Sequence, residues 1–143
     1  DDLLKEFEEC VWCDVFAKSG KLLFGVCYRS PNKQIENDEK LLNMLNKVSK
    51  ENVLLMGDFN FGNSIDWECN TSTSQGKFFL DCVNKNFLHQ HVDKPTRGLS
   101  LLNFTLSSEI DLVKNVEIGE KFINSDHQII IFNVNKFIYI IGQ

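Results

Sequence analysis

Prolines number only two and histidines three in these 143 residues, and the longest apolar runs, 129–132 and 137–141, fall far short of the roughly 20 residues a membrane helix needs. A soluble chain with no membrane partner is predicted. Basic side chains are outnumbered, 15 against 20 acidic, for a net charge of −5. No global field draws nucleic acid, so any phosphate contact has to be local or metal-mediated. The cysteine count, five, is odd, and no signal-peptide pattern opens the chain. That argues against a disulfide framework and for reduced thiols in an intracellular setting, nuclear or cytoplasmic. Internal repeats, low-complexity tracts and linkers are missing as well. The opening DDLLKEFEEC has neither a helix cap nor a leading strand, which predicts a piece of something longer.

What is present suffices for a packed core: 43% of residues are hydrophobic and twelve are Phe. One domain over 1–134 is expected, followed by an uncommitted apolar tail, 135–143. The central stretch is VLLMGDFN, 53–60. Four apolar residues without polar alternation read as a strand covered on both faces, delivering Asp58 and Asn60 to its carboxyl end. In an extended chain those two leave one face and Phe59 the other. A carboxylate placed there needs a cation or a distant side chain as partner.

Segments 9–16 and 21–28 alternate and flank Ser19-Gly20, predicting a hairpin with Val11, Cys13 and Val15 on one face. Its Cys10 and Cys13 form a CxxC, whose sharp readings are a redox pair or half a zinc site; the second ligand pair of a zinc site is missing, and small buried thiols are the preferred reading. Tyr28-Arg29-Ser30-Pro31-Asn32 ends the second strand at the proline. An amphipathic helix over 37–50 follows, with Leu41, Leu42, Met44, Leu45 and Val48 on one side. After 53–60 come a polar loop, 61–73, and a second helix, 74–85, with Phe78, Phe79, Cys82 and Val83 inward. Strands are expected at 87–92, 101–106, 112–118 and 128–134. His89 and His91 share a face of the first of these and read as a metal-chelating pair or a satisfied edge pair; with no acid or thiol arranged around them, the edge pair is preferred. Strand, helix, strand signals a layered α/β or α+β domain. Before the last strand stand Asn124, Ser125, Asp126 and His127, an acid beside an imidazole, as general acid/base chemistry requires and as a polar loop also allows.

YRSPN, GDFN and SDH, in that order and each at a strand edge, resemble the motif set of the endonuclease/exonuclease/phosphatase superfamily, with its deoxyribonuclease I-like fold. GVCYRSPN, VLLMGDFNFGNSIDW, KPTRG and NSDHQII resemble more narrowly the endonuclease domain of non-LTR retrotransposons. The resemblance runs from about Trp12 to Val134 and implies two packed β-sheets flanked by helices, incomplete at the amino terminus. It implies a DNA-nicking phosphodiesterase using Mg²⁺ or Mn²⁺, fused in its parent element to a reverse transcriptase. Carried over by position, Tyr28 and Asn32 contact the phosphate, Asp58 activates the attacking water, Asn60 helps hold water and phosphate, and Asp126 orients His127. Asp58 and Asp126 are the implied metal ligands, and Ser125 and Asn103 support the site. Asn103 stands where relatives carry an aspartate, and the family's principal metal-binding Asn and Glu would precede Asp1. Truncation also implies self-association through an exposed sheet. A non-catalytic remnant and a phosphatase acting on a small ester are the rival readings.

Overall fold

The computed structural model describes residues 2–17, 20–31 and 35–134. In chain order these form α1 (Asp2–Glu6), β1 (Cys10–Ala17), β2 (Gly20–Tyr28), α2 (Ile35–Val48), β3 (Val53–Asp58), β4 (Ile65–Asp66), β5 (Thr71–Ser72), α3 (Lys77–Lys85), β6 (His89–Gln90), β7 (Asn103–Ser107), β8 (Val113–Lys121) and β9 (Gln128–Val134). One sheet has the order β1-β2-β3-β7-β6, with β2 and β3 parallel and the other pairs antiparallel. The hairpins β4-β5 and β8-β9 are separate two-stranded sheets.

The all-apolar start of β3 follows from its central place, because both of its faces are covered. Val53 and Leu55 join Leu106, Phe104 and Cys27 against α2 and α3. Leu54, on the opposite face, joins Leu22, Leu112 and Val113, with Phe24, Val116 and Phe132 packed alongside. The result is helices, a five-stranded sheet and a hairpin layer, the two-sheet α/β sandwich expected. The helix α2 is held as expected by Leu41, Met44, Leu45 and Val48, all buried.

Several local expectations are corrected. Residues 74–76 form a turn rather than the first turn of α3, and Phe78 points outward while Phe79 and Leu80 point in. The strand expected at 87–92 shrinks to His89–Gln90, since Phe87 takes a left-handed φ of 54° that ends the helix and postpones pairing. The loop 61–73 contains the β4-β5 hairpin, and the one-turn α1 carries no signal strong enough to read. Cys13 is exposed, not buried: β1 is an edge strand, and Val11 and Val15 on the same face are also exposed. Asn32 and the tail 135–143 lie outside the described residues.

Candidate active site

Three adjacent strands align one polar residue each. In the β2-β3 register Tyr28 stands beside Asp58, and in the β3-β7 register Asp58 stands beside Asn103. Residues side by side in neighbouring strands project to the same face, so Tyr28, Asp58 and Asn103 make a row at one end of the sheet. That face is the one the β8-β9 hairpin covers further down. Gly57 allows the strands to close up just below the row. Its φ is +150°, and a Cβ there would sit 1.8 Å from the carbonyl oxygen of Cys27, so no other residue fits.

Beyond Asp58 the chain turns sharply. Asn60 has a φ of 54°, a left-handed conformation that asparagine tolerates, and its N–H donates to Asp58 Oδ1 at 3.0 Å. The chain is therefore not extended at Asn60, and the same-face expectation gives way to a turn in which Asn60 Nδ2 donates to the Arg29 carbonyl at 2.7 Å. Phe59, fully buried, pins the turn by stacking on Phe104 at 5.3 Å. Arg29 locks it from the other side. Its guanidinium donates to Phe59 O at 3.1 Å, forks onto Asp38 at 2.7 and 2.9 Å, and lies 4.0 Å over the Phe61 ring. One charged side chain thus ties β2, α2 and the turn after β3 together.

The second cluster arrives from the tip of the β8-β9 hairpin. Ser125 Oγ accepts the His127 N–H at 3.0 Å, which shapes the tip. His127 lies over the row. Its Nδ1 is 3.2 Å from Asn103 Oδ1 and its Nε2 is 3.5 Å from Asp58 Oδ2. An amide oxygen only accepts, so Nδ1 carries the proton and Nε2 faces the carboxylate. Asp126 is 3.8 Å from the same Nε2 and is paired with Arg97 at 2.6 Å. Thr96, buried, aligns the ring's support: its Oγ1 accepts the N–H groups of Leu102 and Asn103 and donates to Asn103 Oδ1, and its carbonyl accepts the Gln128 N–H. Burial raises the Asp58 carboxyl above its ordinary value, while the Asn60 N–H, His127 and Arg97 pull it back down and Asp126 pushes it up again.

Two distant sequence clusters, 57–60 and 125–127, therefore meet at one end of the sheet. A family model described as endonuclease-reverse transcriptase matches residues 22–131, most of the chain. The chain belongs to the endonuclease-reverse transcriptase family. Among solved structures it is similar to the endonuclease domain of TRAS1, a telomere-specific non-LTR retrotransposon, at 18% identity and a TM-score of 0.72. That match covers 91% of this chain and 64% of the other, so the chain spans less than two thirds of the TRAS1 domain, and the likeness is one of fold. No match was found among curated proteins.

Within this endonuclease-reverse transcriptase fold the structure brings together Tyr28, Asp58, Asn60, Asn103, Ser125, Asp126 and His127. Sequence reading left out Arg29, Thr96 and Arg97. Arg29 and Arg97 stand inside the YRSPN and KPTRG motifs, but their roles depend on tertiary partners, Asp38 and Asp126, that no spacing reveals. As a metal site the cluster is thin. Among the described residues no group of three or more His, Cys, Asp or Glu side chains is placed to hold an ion. Arg97 already neutralises Asp126, leaving the Asp58 carboxylate as the oxygen donor best placed for a cation. One or two carboxylates, water and a substrate phosphate are a normal set for Mg²⁺, so the donors present fit a weakly held ion and not a closed cage.

Proposed function

We propose that this chain is the endonuclease portion of a non-LTR retrotransposon protein and hydrolyses a phosphodiester bond to nick DNA, the parent protein also carrying a reverse transcriptase. The observation that carries this reading is the 3.5 Å approach of His127 Nε2 to Asp58 Oδ2, with Asn103 bonded to the other ring nitrogen. Hydrolysis needs a positioned water, a proton acceptor, and positive or hydrogen-bonding groups on the phosphate. Asp58, held by Asn60, orients the attacking water and takes its proton. His127, held through Nδ1 by Asn103, presents Nε2 to the phosphate and donates to it when the ring is protonated. The Tyr28 hydroxyl, half exposed at the end of the row, donates to a phosphate oxygen, and Asn60 helps hold water and phosphate. Asn32 is proposed as a further phosphate contact. Asp58, with Asp126 once it exchanges Arg97, would hold Mg²⁺ or Mn²⁺, and such an ion supplies positive charge against the charge that develops on the phosphate.

The test is nicking of supercoiled plasmid with Mg²⁺ by this chain, by a version carrying upstream sequence, and by variants of each. Asp58→Ala and His127→Ala are expected to lower the rate about 10²–10⁴-fold, the usual worth of a positioned acid or base. Asn103→Asp replaces a neutral bond to the ring by a charge-assisted one, about 1 kcal/mol stronger, and is expected to raise the rate roughly fivefold. Nicking that survives both alanine substitutions would end the assignment. A specific observation also favours a non-catalytic remnant: among the described residues, fewer than three acidic, thiol or imidazole groups cluster to hold an ion. Silence of both the short and the extended versions would select that reading. Turnover of small phosphate esters without plasmid nicking would select a phosphatase instead.

A further inference from the structure

Two thiols the nuclease reading does not use stand opposite each other across the β1-β2 pair. Cys10 and Cys27 are register partners. The neighbouring pair, Glu9 and Tyr28, is joined by the Tyr28 N–H to the Glu9 carbonyl at 2.8 Å, which makes Cys10 and Cys27 a non-hydrogen-bonded pair. In such pairs the Cα atoms approach to about 4.5 Å, inside the range of about 4.4–6.8 Å that a disulfide accepts. The side chains share the helix-covered face: Cys27 is buried in the core and Cys10, half-buried, packs against it. The neighbouring Cys10 and burial both push the Cys27 thiol above its ordinary value. The other three cysteines are differently placed, Cys13 and Cys69 on the surface and Cys82 donating towards Leu42 O and Asn46 Oδ1 on α2.

We propose that Cys10 and Cys27 are a redox-active pair, open as two thiols in a reducing medium and closing to a cross-strand disulfide when a low-molecular-weight disulfide such as oxidised glutathione is in excess. The more accessible sulfur, Cys10, attacks the small disulfide as a thiolate, having lost its proton to water. It forms a mixed disulfide and releases one glutathione thiolate, which takes up that proton. The Cys27 sulfur then displaces the second glutathione, and the Cys27 proton leaves with it. Two protein thiols and one glutathione disulfide become one protein disulfide and two glutathione thiols. The new bond closes the 16 residues between them, 11–26, into a ring and staples edge strand β1 to the strand that ends in Tyr28.

The experiment equilibrates the intact chain in buffers of increasing oxidised-to-reduced glutathione ratio, blocks remaining thiols by alkylation, and maps the peptides. Expected is a linked peptide joining Cys10 to Cys27, with Cys13 and Cys69 alkylated at intermediate ratios. The oxidised chain is expected to melt roughly 5–10 °C higher, as a ring of that size implies. Cys10→Ser, chosen because its site is half-exposed, removes both the link and the shift; Cys27→Val checks the same loss from the buried side. Full alkylation of Cys10 and Cys27 at the most oxidising ratio, or a link from either one to Cys13, Cys69 or a second chain, overturns the proposal.

Discussion

His91 shows how a single side chain is decided by its partners. Read as one half of a chelating or edge pair, it donates through Nε2 to Ser107 Oγ at 2.7 Å, while that hydroxyl donates to Glu109 O. Burial, with His89 and Lys114 nearby, disfavours the charged ring and lowers its pKa to about 4 from 6.5. The unfolded chain takes up this proton near pH 6.5 and the folded chain only near pH 4. Between those values the unfolded state binds more protons, so stability falls as pH falls, by about 1–2 kcal/mol once solvent screening of the half-buried ring is allowed for. Chemical denaturation at steps from pH 7 to pH 4 is expected to show this slope, and His91→Gln, which keeps a donor for Ser107, to flatten it. Asp58 has the opposite linkage: its pKa is raised, so its ionised form costs stability at neutral pH. Neither direction is visible in sequence, because burial, the leading cause of both shifts, is set by tertiary packing.

Elements were legible where one physical pattern acted alone. Strands β2, β3 and β9 and the apolar face of α2 follow from period and burial, and the placing of GDFN at a strand end follows from the uninterrupted apolar run before it. Where backbone conformation intervened, the pattern failed: the left-handed Phe87 trimmed β6, and the left-handed Asn60 turned a side chain that alternation had aimed elsewhere. Gly57 is the element-scale requirement with the largest consequence. Gly57→Ala drives a methyl into the Cys27 carbonyl and forbids the local φ, so β2 and β3 have to separate. A loss of about 3 kcal/mol or more is expected in urea titration, with the row Tyr28, Asp58, Asn103 disrupted. Gly57→Ala folding with wild-type stability would mean that the two strands do not approach as described.

At the scale of the whole molecule, the sheet is covered unequally. The hairpin β8-β9 packs over Leu22 and Leu54, but Val11 is 75% exposed, Phe16 76%, Val26 47% and, on the hairpin itself, Ile131 54%. Apolar surface of this kind on an edge strand favours association. Sedimentation of the chain is expected to show concentration-dependent self-association, reduced by Val11→Lys with Val26→Thr; a monomer across the micromolar to millimolar range would contradict this. The layered class was readable from strand-helix-strand order, whereas which apolar residues remain uncovered depends on how far one hairpin reaches, a tertiary quantity.

The hairpin tip that carries His127 fastens to the rest of the fold through one short span: Gln128 to Thr96, Asp126 to Arg97, and His127 to Asn103. That span acts as the hinge pin between two jaws. Lengthening it by a single residue would leave each jaw intact and the protein folded, yet carry the imidazole out of reach of the carboxylate. A lineage could break the approach of His127 to Asp58 there without altering either side chain.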